Sequence, residues 1–514
     1  MKKILSFVLG ALLCCSTLFG CSGGGGNVMH TGTVDDPNGN LSRSAADLVV
    51  VVEYGGNGIQ HWLDLKNAFQ ERTGKTVYLD AEKGISDLAP DQWSNGIDCG
   101  DVYSVNTNPL PYIAQGQIEK LDSLYSSEIS EGKMVKDTLW DSYKDFGYVK
   151  TDSYEGYYWL PLTASTGGLF YNQSILEDAY SQAVQNGHAT VNWSERAPET
   201  YAELLELVDD INAMACNTDA NDSNNIYPFT FAGPQSNYWS YWVETWFVQM
   251  IGMDKYVEYA KIESIDNYNP NSTNRFALGD GTMANYAEAK QMALELMAGL
   301  VLNSNKTIKN VNPYDIATNY LLVQTNFAEG KAAMMPNGAW LETELSMSIP
   351  ISKLADIRYA SVPYAPKAQK DSGTGEYKFI NNALATAQGI LIPAKAQHKE
   401  LANEFLKFMV EEENLKNVAY TMGRTLCYDI EVDFSGLSKA AQDINEVCVK
   451  GEEENGAFFF VPKNEVAFAG KANFWYFNAF SYMLTGDVSS RKTAAECIAQ
   501  EYVNAQGQLE GYIQ

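Results

Sequence analysis

The sequence predicts an α/β fold of two or more lobes, and three observations carry that expectation. Near the start of the folded region, β-branched apolar runs alternate with helical periodicity, the pattern of a parallel sheet with helices on both faces. Roughly 465 residues follow residue 47, more than one hydrophobic core organises. No internal repeat and no Pro/Gly-rich linker divides them, so several strand crossings are expected to join the lobes.

At the N-terminus, Met1-Lys2-Lys3 lead into an apolar run from Ile4 to Gly20, which marks residues 1–20 as a secretory signal. Ser6, Ser16 and Thr17 dilute the run and no basic flank follows it, which argues against a membrane span. Leu18-Phe19-Gly20-Cys21 resembles the lipobox of bacterial lipoproteins, although Phe19 is bulkier than the residue usual there. The resemblance implies a lipid on Cys21. Residues 21–47 then form the lipidated cysteine and a flexible tether, because Ser22 to Ala46 are rich in Gly, Ser, Asn and Asp. Its r.m.s. span is ~25–30 Å at 5–6 Å times the square root of the residue count.

Leu48 to Glu53 form a continuous β-branched strand ended by Tyr54-Gly-Gly-Asn-Gly58. From Ile59 to Thr73, Trp62, Leu63, Leu65, Ala68 and Phe69 recur near helical spacing, and Gly74 stops the helix. Thr76 to Asp80 and Asp101 to Val105 supply two further strands. Ligands in such sheets sit beyond the carboxyl ends of the strands, which points to Tyr54–Gly58 and to Asn106-Thr-Asn108. Amphipathic helices are expected over Glu199–Ala215, Ala284–Ala298, Leu401–Met409 and from Glu411 onward. Asp219 to Asn225 read as a surface loop whose faint likeness to a calcium loop lacks the glycine and the last carboxylate.

Sixty-four acidic residues against 36 basic ones give a formal charge of −28, or −30 once Lys2 and Lys3 leave with the signal. Such a surface excludes nucleic acid as a partner. No later segment holds 18 consecutive apolar residues. Beyond the signal and Cys21, the cysteines are Cys99, Cys216, Cys427, Cys448 and Cys497. Five is odd, and no CxxC or neighbouring His supports zinc, which leaves one or two disulfides or simple buried thiols.

Three stretches carry a family likeness: Trp159 to Gln173, Phe327 to Trp340, and Gly389 to Pro393 with Glu400 to Phe408. In this order and spacing they resemble the extracellular solute-binding proteins of carbohydrate ABC transporters, the maltose-binding-protein-like group, from about Leu48 to Asp429. The resemblance implies an α/β, two-lobe periplasmic-binding-protein-like (type II) fold with a ligand cleft between lobes joined by crossing strands. The crossings fall near Leu162–Ser165, Phe379–Leu384 and Gly423–Leu426, so residues 48–162 plus 380–424 form lobe 1 and residues 163–379 plus 425–514 lobe 2. The last hundred residues, with Phe474 to Phe477, match the family pattern poorly and join lobe 2 by order alone. The implied function is capture of a sugar or oligosaccharide and delivery to ABC permease subunits, by a monomer held at the membrane through lipid and needing no cofactor.

A sugar offers hydroxyls to hydrogen-bond and apolar faces to cover, so its cleft needs aromatics beside short polar side chains. The resemblance places a stacking tryptophan at Trp340, after Asn337-Gly338, where a buried core indole is the alternative, and Ser165 and Thr166 at the first crossing, where they are ligand contacts or hinge packing. Asn57, Asn106 and Asn108 stand at strand ends, where they serve either the ligand or the turn. Trp239, Trp242 and Trp246 form a helical stripe of the kind usually buried, with Tyr238 and Trp239 nearest the ligand end. Asn382 and Arg424, at the later crossings, are ligand contacts or hinge bonds. The rival readings are another solute, such as a peptide or polyamine, and a secreted carbohydrate-active enzyme. No GxSxG, HExxH or Walker motif supports catalysis, and the four histidines form no close pair in sequence.

Overall fold

A computed structural model describes residues 33–512 except 152, 189–190, 218–223, 233–236, 263, 274–275, 278–282, 313–314, 316–317, 347–348, 351–353, 355, 384–388, 459–464, 472–479 and 485. The signal, Cys21, most of the Asp219–Asn225 segment and Phe474–Phe477 lie outside the described residues.

Two four-stranded sheets organise the chain. In the first, β1 (Leu48–Glu53) pairs in parallel with β2 (Val77–Glu82) and β3 (Val102–Val105), as the sequence predicts. A short edge strand, Gly389–Leu391, adds antiparallel to β3. Leu48 to Val52 are all buried, which is why this central strand reads as an unbroken apolar run. Helix α1 (Gln60–Thr73) ends at Gly74, whose positive φ of 70° a glycine adopts without strain. Helices Lys399–Met409 and Glu412–Met422 pack against α1.

The expected tether stops short of residue 47. Asn38 is buried and exchanges two 2.8 Å hydrogen bonds with the backbone of Leu79, while Lys66 donates to Pro37 and Asn38. Leu41 is buried and Arg43 pairs with Asp80, so residues 37–43 dock on the first lobe. Composition alone missed this because a few residues, Pro37, Asn38, Leu41 and Arg43, do the docking.

The second sheet is mixed rather than parallel. Strand β4 (Gly167–Asn172) runs antiparallel to β6 (Ala332–Gly338) and β7 (Ile357–Ala360), and β5 (Tyr227–Phe229) runs parallel to β6. The chain enters this lobe through β4 at Gly167 and returns to the same end at Gly338, which fixes the opposed directions. Around the sheet stand α2 (Tyr201–Asn212), α3 (Asn237–Ile251), α4 (Tyr286–Val301), α5 (Tyr320–Ala328) and α6 (Leu341–Ser346). Thr200 and Asn285 cap α2 and α4 by accepting from the backbone N–H groups of Glu203 and Glu288. The late helices belong here too. Arg358 of β7 grips Asp443 of α7 (Lys439–Glu453) with bonds of 2.7 and 2.8 Å, and α8 (Ala494–Leu509) packs on α4.

Between the sheets the crossing segments pair with one another. Thr163 bridges Leu426, Thr166 bridges Ala383, and Ala164 N–H donates to Thr425 O at 3.0 Å. Residues 427–429 bond back to residues 138–140 as well, so the third crossing is braced on the first lobe. Cys427, Cys448 and Cys497 are buried free thiols, and Cys99 and Cys216 are half-buried.

Candidate functional site

The turn after β1 and the segment after β6 face each other across the lobe boundary. On the first side, Gly58 closes the turn with an N–H bond to Gly55 O at 2.9 Å and holds φ at +61°. On the second, Trp340 folds back over its own strand end: a Cβ on Gly338 would lie 2.3 Å from its Cη2 and Cζ3. Trp340 also meets the opposite lobe, since a Cβ on Gly56 would lie 2.7 Å from its Cβ. Both glycines are therefore required for the approach.

Two tyrosines from α3 complete an aromatic corner. The rings of Tyr238 and Tyr241 each centre 6.1 Å from that of Trp340, tilted by 50° and edge-on at 89°. Tyr238 and Trp340 are half-buried, and burial pushes the Tyr238 hydroxyl well above its ordinary pKa, so it is a neutral donor and acceptor.

Charged groups lie behind the corner. Arg424 is 2% exposed and donates from Nη2 to Gly56 O at 3.2 Å; among the described residues no carboxylate comes within ion-pair distance. Burial lowers its pKa to about 10, against the opposing pull of Glu344 and Glu342 on α6. Those carboxyls are themselves pushed up by burial, with Ser438 donating to Glu342 at 2.5 Å and Gln324 to Glu344 at 2.6 Å. His61, in the first turn of α1, is buried and held neutral: desolvation first, then Arg424, brings its pKa to about 3. Asn57 Oδ1, His61 Nε2 and Gln324 Oε1 are buried and have no partner among the described residues. At the rim, Lys83 Nζ donates to Tyr320 Oη at 2.7 Å, so the lobes touch there as well.

The sequence-derived residues thus separate. Asn57, Tyr238, Trp340 and Arg424 come together at the lobe boundary. Asn106 is exposed, and Asn108 closes a turn by accepting from Leu110 N–H, two residues on, at 3.1 Å. Ser165, Thr166 and Asn382 line a small void of about 20 Å³ in the hinge, with Asn381 donating to Thr166. Asn337 is fully buried and accepts from Gly338 N–H at 2.7 Å. Trp239, expected near the ligand, sits instead in the second lobe's core against Phe229 and Phe231 at 5.5 and 5.3 Å. The sequence reading included Gly56 within Tyr54–Gly58 but missed Tyr241, His61, Glu342 and Glu344, of which Glu342-x-Glu344 two residues after Trp340 was the available signal.

Two α/β lobes joined by paired crossings, with aromatic and unpartnered polar groups at their boundary, define the class of two-lobe proteins that hold a small molecule between domains. Residues 64–426 match the family described as bacterial extracellular solute-binding protein, and the chain belongs to that family. Solved structures share the fold at low identity. The GacH receptor of Streptomyces glaucescens, studied with acarbose, is 13% identical with a TM-score of 0.61, over 90% of this chain and 98% of that one. RafE in complex with raffinose is 15% identical with a TM-score of 0.58, over 90% and 99%. The solute receptor AcbH, which prefers β-D-galactopyranose, is 13% identical with a TM-score of 0.62, over 91% and 99%. No curated protein matches the sequence. Among the described residues no helix is long and apolar enough to cross a membrane.

Proposed function

We propose that the protein is the solute-binding lipoprotein of an ABC importer, taking a sugar or oligosaccharide between its lobes and passing it to membrane permease subunits without chemical change. The carrying observation is the corner of Trp340, Tyr238 and Tyr241 beside the unpartnered Asn57 and the buried Arg424. Aromatic faces cover sugar C–H surfaces, and open polar groups take hydroxyls. Acarbose, raffinose and galactopyranose, named for proteins of the same fold, support this ligand class. Sugar contacts on both walls favour the closed form, which the permease then recognises.

The division of the chain into residues 48–162 with 380–424 and 163–379 with 425–514 is part of the proposal, as are monomeric action and the lipid on Cys21. Residues 37–43 dock on the first lobe, so the expected tether ends before residue 37. The cleft then works close to the membrane.

A thermal-shift screen of the mature protein tests the reading. A sugar at a hundred times its Kd adds ~2.7 kcal/mol to the folded state and raises the melting temperature. A response to peptides or polyamines with none to any glycan overturns it.

A further inference from the structure

The void in the hinge has walls that specify its occupant. Ser165 lines it from the first crossing and Asn381 from the second, while Cys448 and Gly451 of α7 close it from the second lobe. Ser165 is 4% exposed and Asn381 3%, and the Ser165 Oγ and Asn381 Oδ1 atoms have no partner among the described residues. Their polar neighbours are already engaged. Asn381 Nδ2 donates to Thr166 Oγ1, and the Cys448 thiol donates to Ala164 O at 3.2 Å. Two open polar atoms facing one cavity are therefore left over, and buried polar atoms ordinarily have partners.

Size and charge then select among occupants. The void offers about 20 Å³ to a water-sized group. A cavity holds a water from about 10–15 Å³ upward when roughly two to four polar atoms surround it. A sugar ring is far too large. No charged side chain lines the void among the described residues, so an ion would enter without a counter-charge. Asn381 Oδ1 only accepts, whereas a serine hydroxyl both donates and accepts. The occupant must donate to the first, bond the second, be neutral and be one oxygen in size.

Its place gives it a part in the hinge. Among the described residues the first and second crossings pair through a single isolated bridge, Thr166 with Ala383. The second crossing is held on its other side by the short strand Ala457–Phe458, with Asn381 N–H donating to Gly456 O at 2.9 Å and Ala383 N–H to Phe458 O at 2.7 Å. Direct hydrogen bonds weaken steeply when their angle changes, but a bridging water turns with its partners. Crossings joined in that way can rotate on one another without losing the connection.

We infer that the hinge holds one ordered water, hydrogen-bonded to Ser165 Oγ and Asn381 Oδ1, which links the first crossing to the second. This site lies outside the aromatic corner, and nothing in it depends on which solute the cleft takes.

A high-resolution crystal structure of the mature, ligand-free protein tests the site. One water peak within hydrogen-bonding distance of both oxygens is expected. An empty void, a direct Ser165–Asn381 bond, or a peak with the short contacts of a metal ion overturns it. The link is tested by Ser165→Ala, which removes one of the water's partners with little change in bulk. In hydrogen–deuterium exchange the amides of Asn381 and Ala383 should then exchange about threefold to tenfold faster than in the parent, the change for one lost neutral hydrogen bond. Unchanged exchange overturns the link even where the peak is seen. Circular dichroism confirms that the variant is folded, and the parent crystal decides the water if it is not.

Discussion

Helix α3 shows two faces that use the same kind of residue differently. Trp239, Trp242 and Trp246 point into the second lobe's core and are fully buried, whereas Tyr238 and Tyr241 turn toward Trp340 and the other lobe. On the core face the polar atoms are mostly closed: Trp242 Nε1 donates to Gly168 O at 3.0 Å and Trp246 Nε1 to Pro363 O at 2.8 Å. Trp239 Nε1 and one oxygen each of Glu244 and Glu501 lack partners among the described residues. On the cleft face the Arg424 guanidinium has one backbone acceptor, and among the described residues two amide oxygens and an imidazole nitrogen have no partner. The difference teaches that aromatic content does not mark a ligand site; unmet hydrogen bonding beside aromatics does.

The sharpest way to break this contrast is to cut a closed bond in the core. Lys290→Met leaves Glu244 and Glu501 buried without their cation and is expected to lower unfolding stability by ~3–5 kcal/mol. Denaturant titration checks this, and the folded fraction should bind sugar as the parent does. Trp340→Ala should do the reverse. Affinity falls by about 1–3 kcal/mol, the range for a well-packed aromatic contact, with a smaller loss of stability because the ring is half-exposed. Unchanged affinity in calorimetry removes Trp340 from the site.

Much of the first lobe was legible in the sequence because its determinants are local. Burial on both faces makes β1 a continuous apolar run, and Gly74 ends α1 by backbone geometry. The second sheet's mixed directions were not legible, since they follow from where distant crossings deliver the chain. At the site, Trp340 was found through its motif and Asn57 through its strand end. Glu342 and Glu344 look in sequence like ordinary acids of a helix's first turn. For Ser165, Thr166 and Asn382 the sequence left ligand contact and hinge bonding both open. The crossings do place short polar residues centrally, but those residues face the hinge void and each other's strands.

Gly56 connects the two faces, because closure requires Trp340 to reach it. In Gly56→Ala the added Cβ would stand 2.7 Å from Trp340 Cβ, so the lobes must part slightly. About a tenfold loss of sugar affinity, ~1.4 kcal/mol, is expected. Small-angle scattering of the liganded variant should show a larger radius of gyration than the parent. Equal affinity and an equal radius would mean that the indole moves aside and that the contact does not govern closure.

The smallest effect separates the faces by the sign of their pH dependence. His61 behind Arg424 has a native pKa near 3, set by burial and by that cation, against 6.5 ordinarily. Between those values the unfolded state binds a proton that the native state refuses, so this contribution is full above pH 6.5 and is lost as pH falls toward 3. In the core, burial raises Glu244 above its ordinary carboxylate value. There the native state holds the extra proton, and stability falls as pH rises through the window above 4.5. His61→Gln should therefore flatten the acid-side loss of stability, and Glu244→Gln should steepen the net loss on acidification by removing an opposing slope. At pH 6 the His61 effect is under ~1 kcal/mol, so melting curves at half-unit intervals down to pH 4 are needed. Identical slopes for parent and His61→Gln would show that protons reach the imidazole, and that the cleft behind Arg424 is wetter than its burial implies.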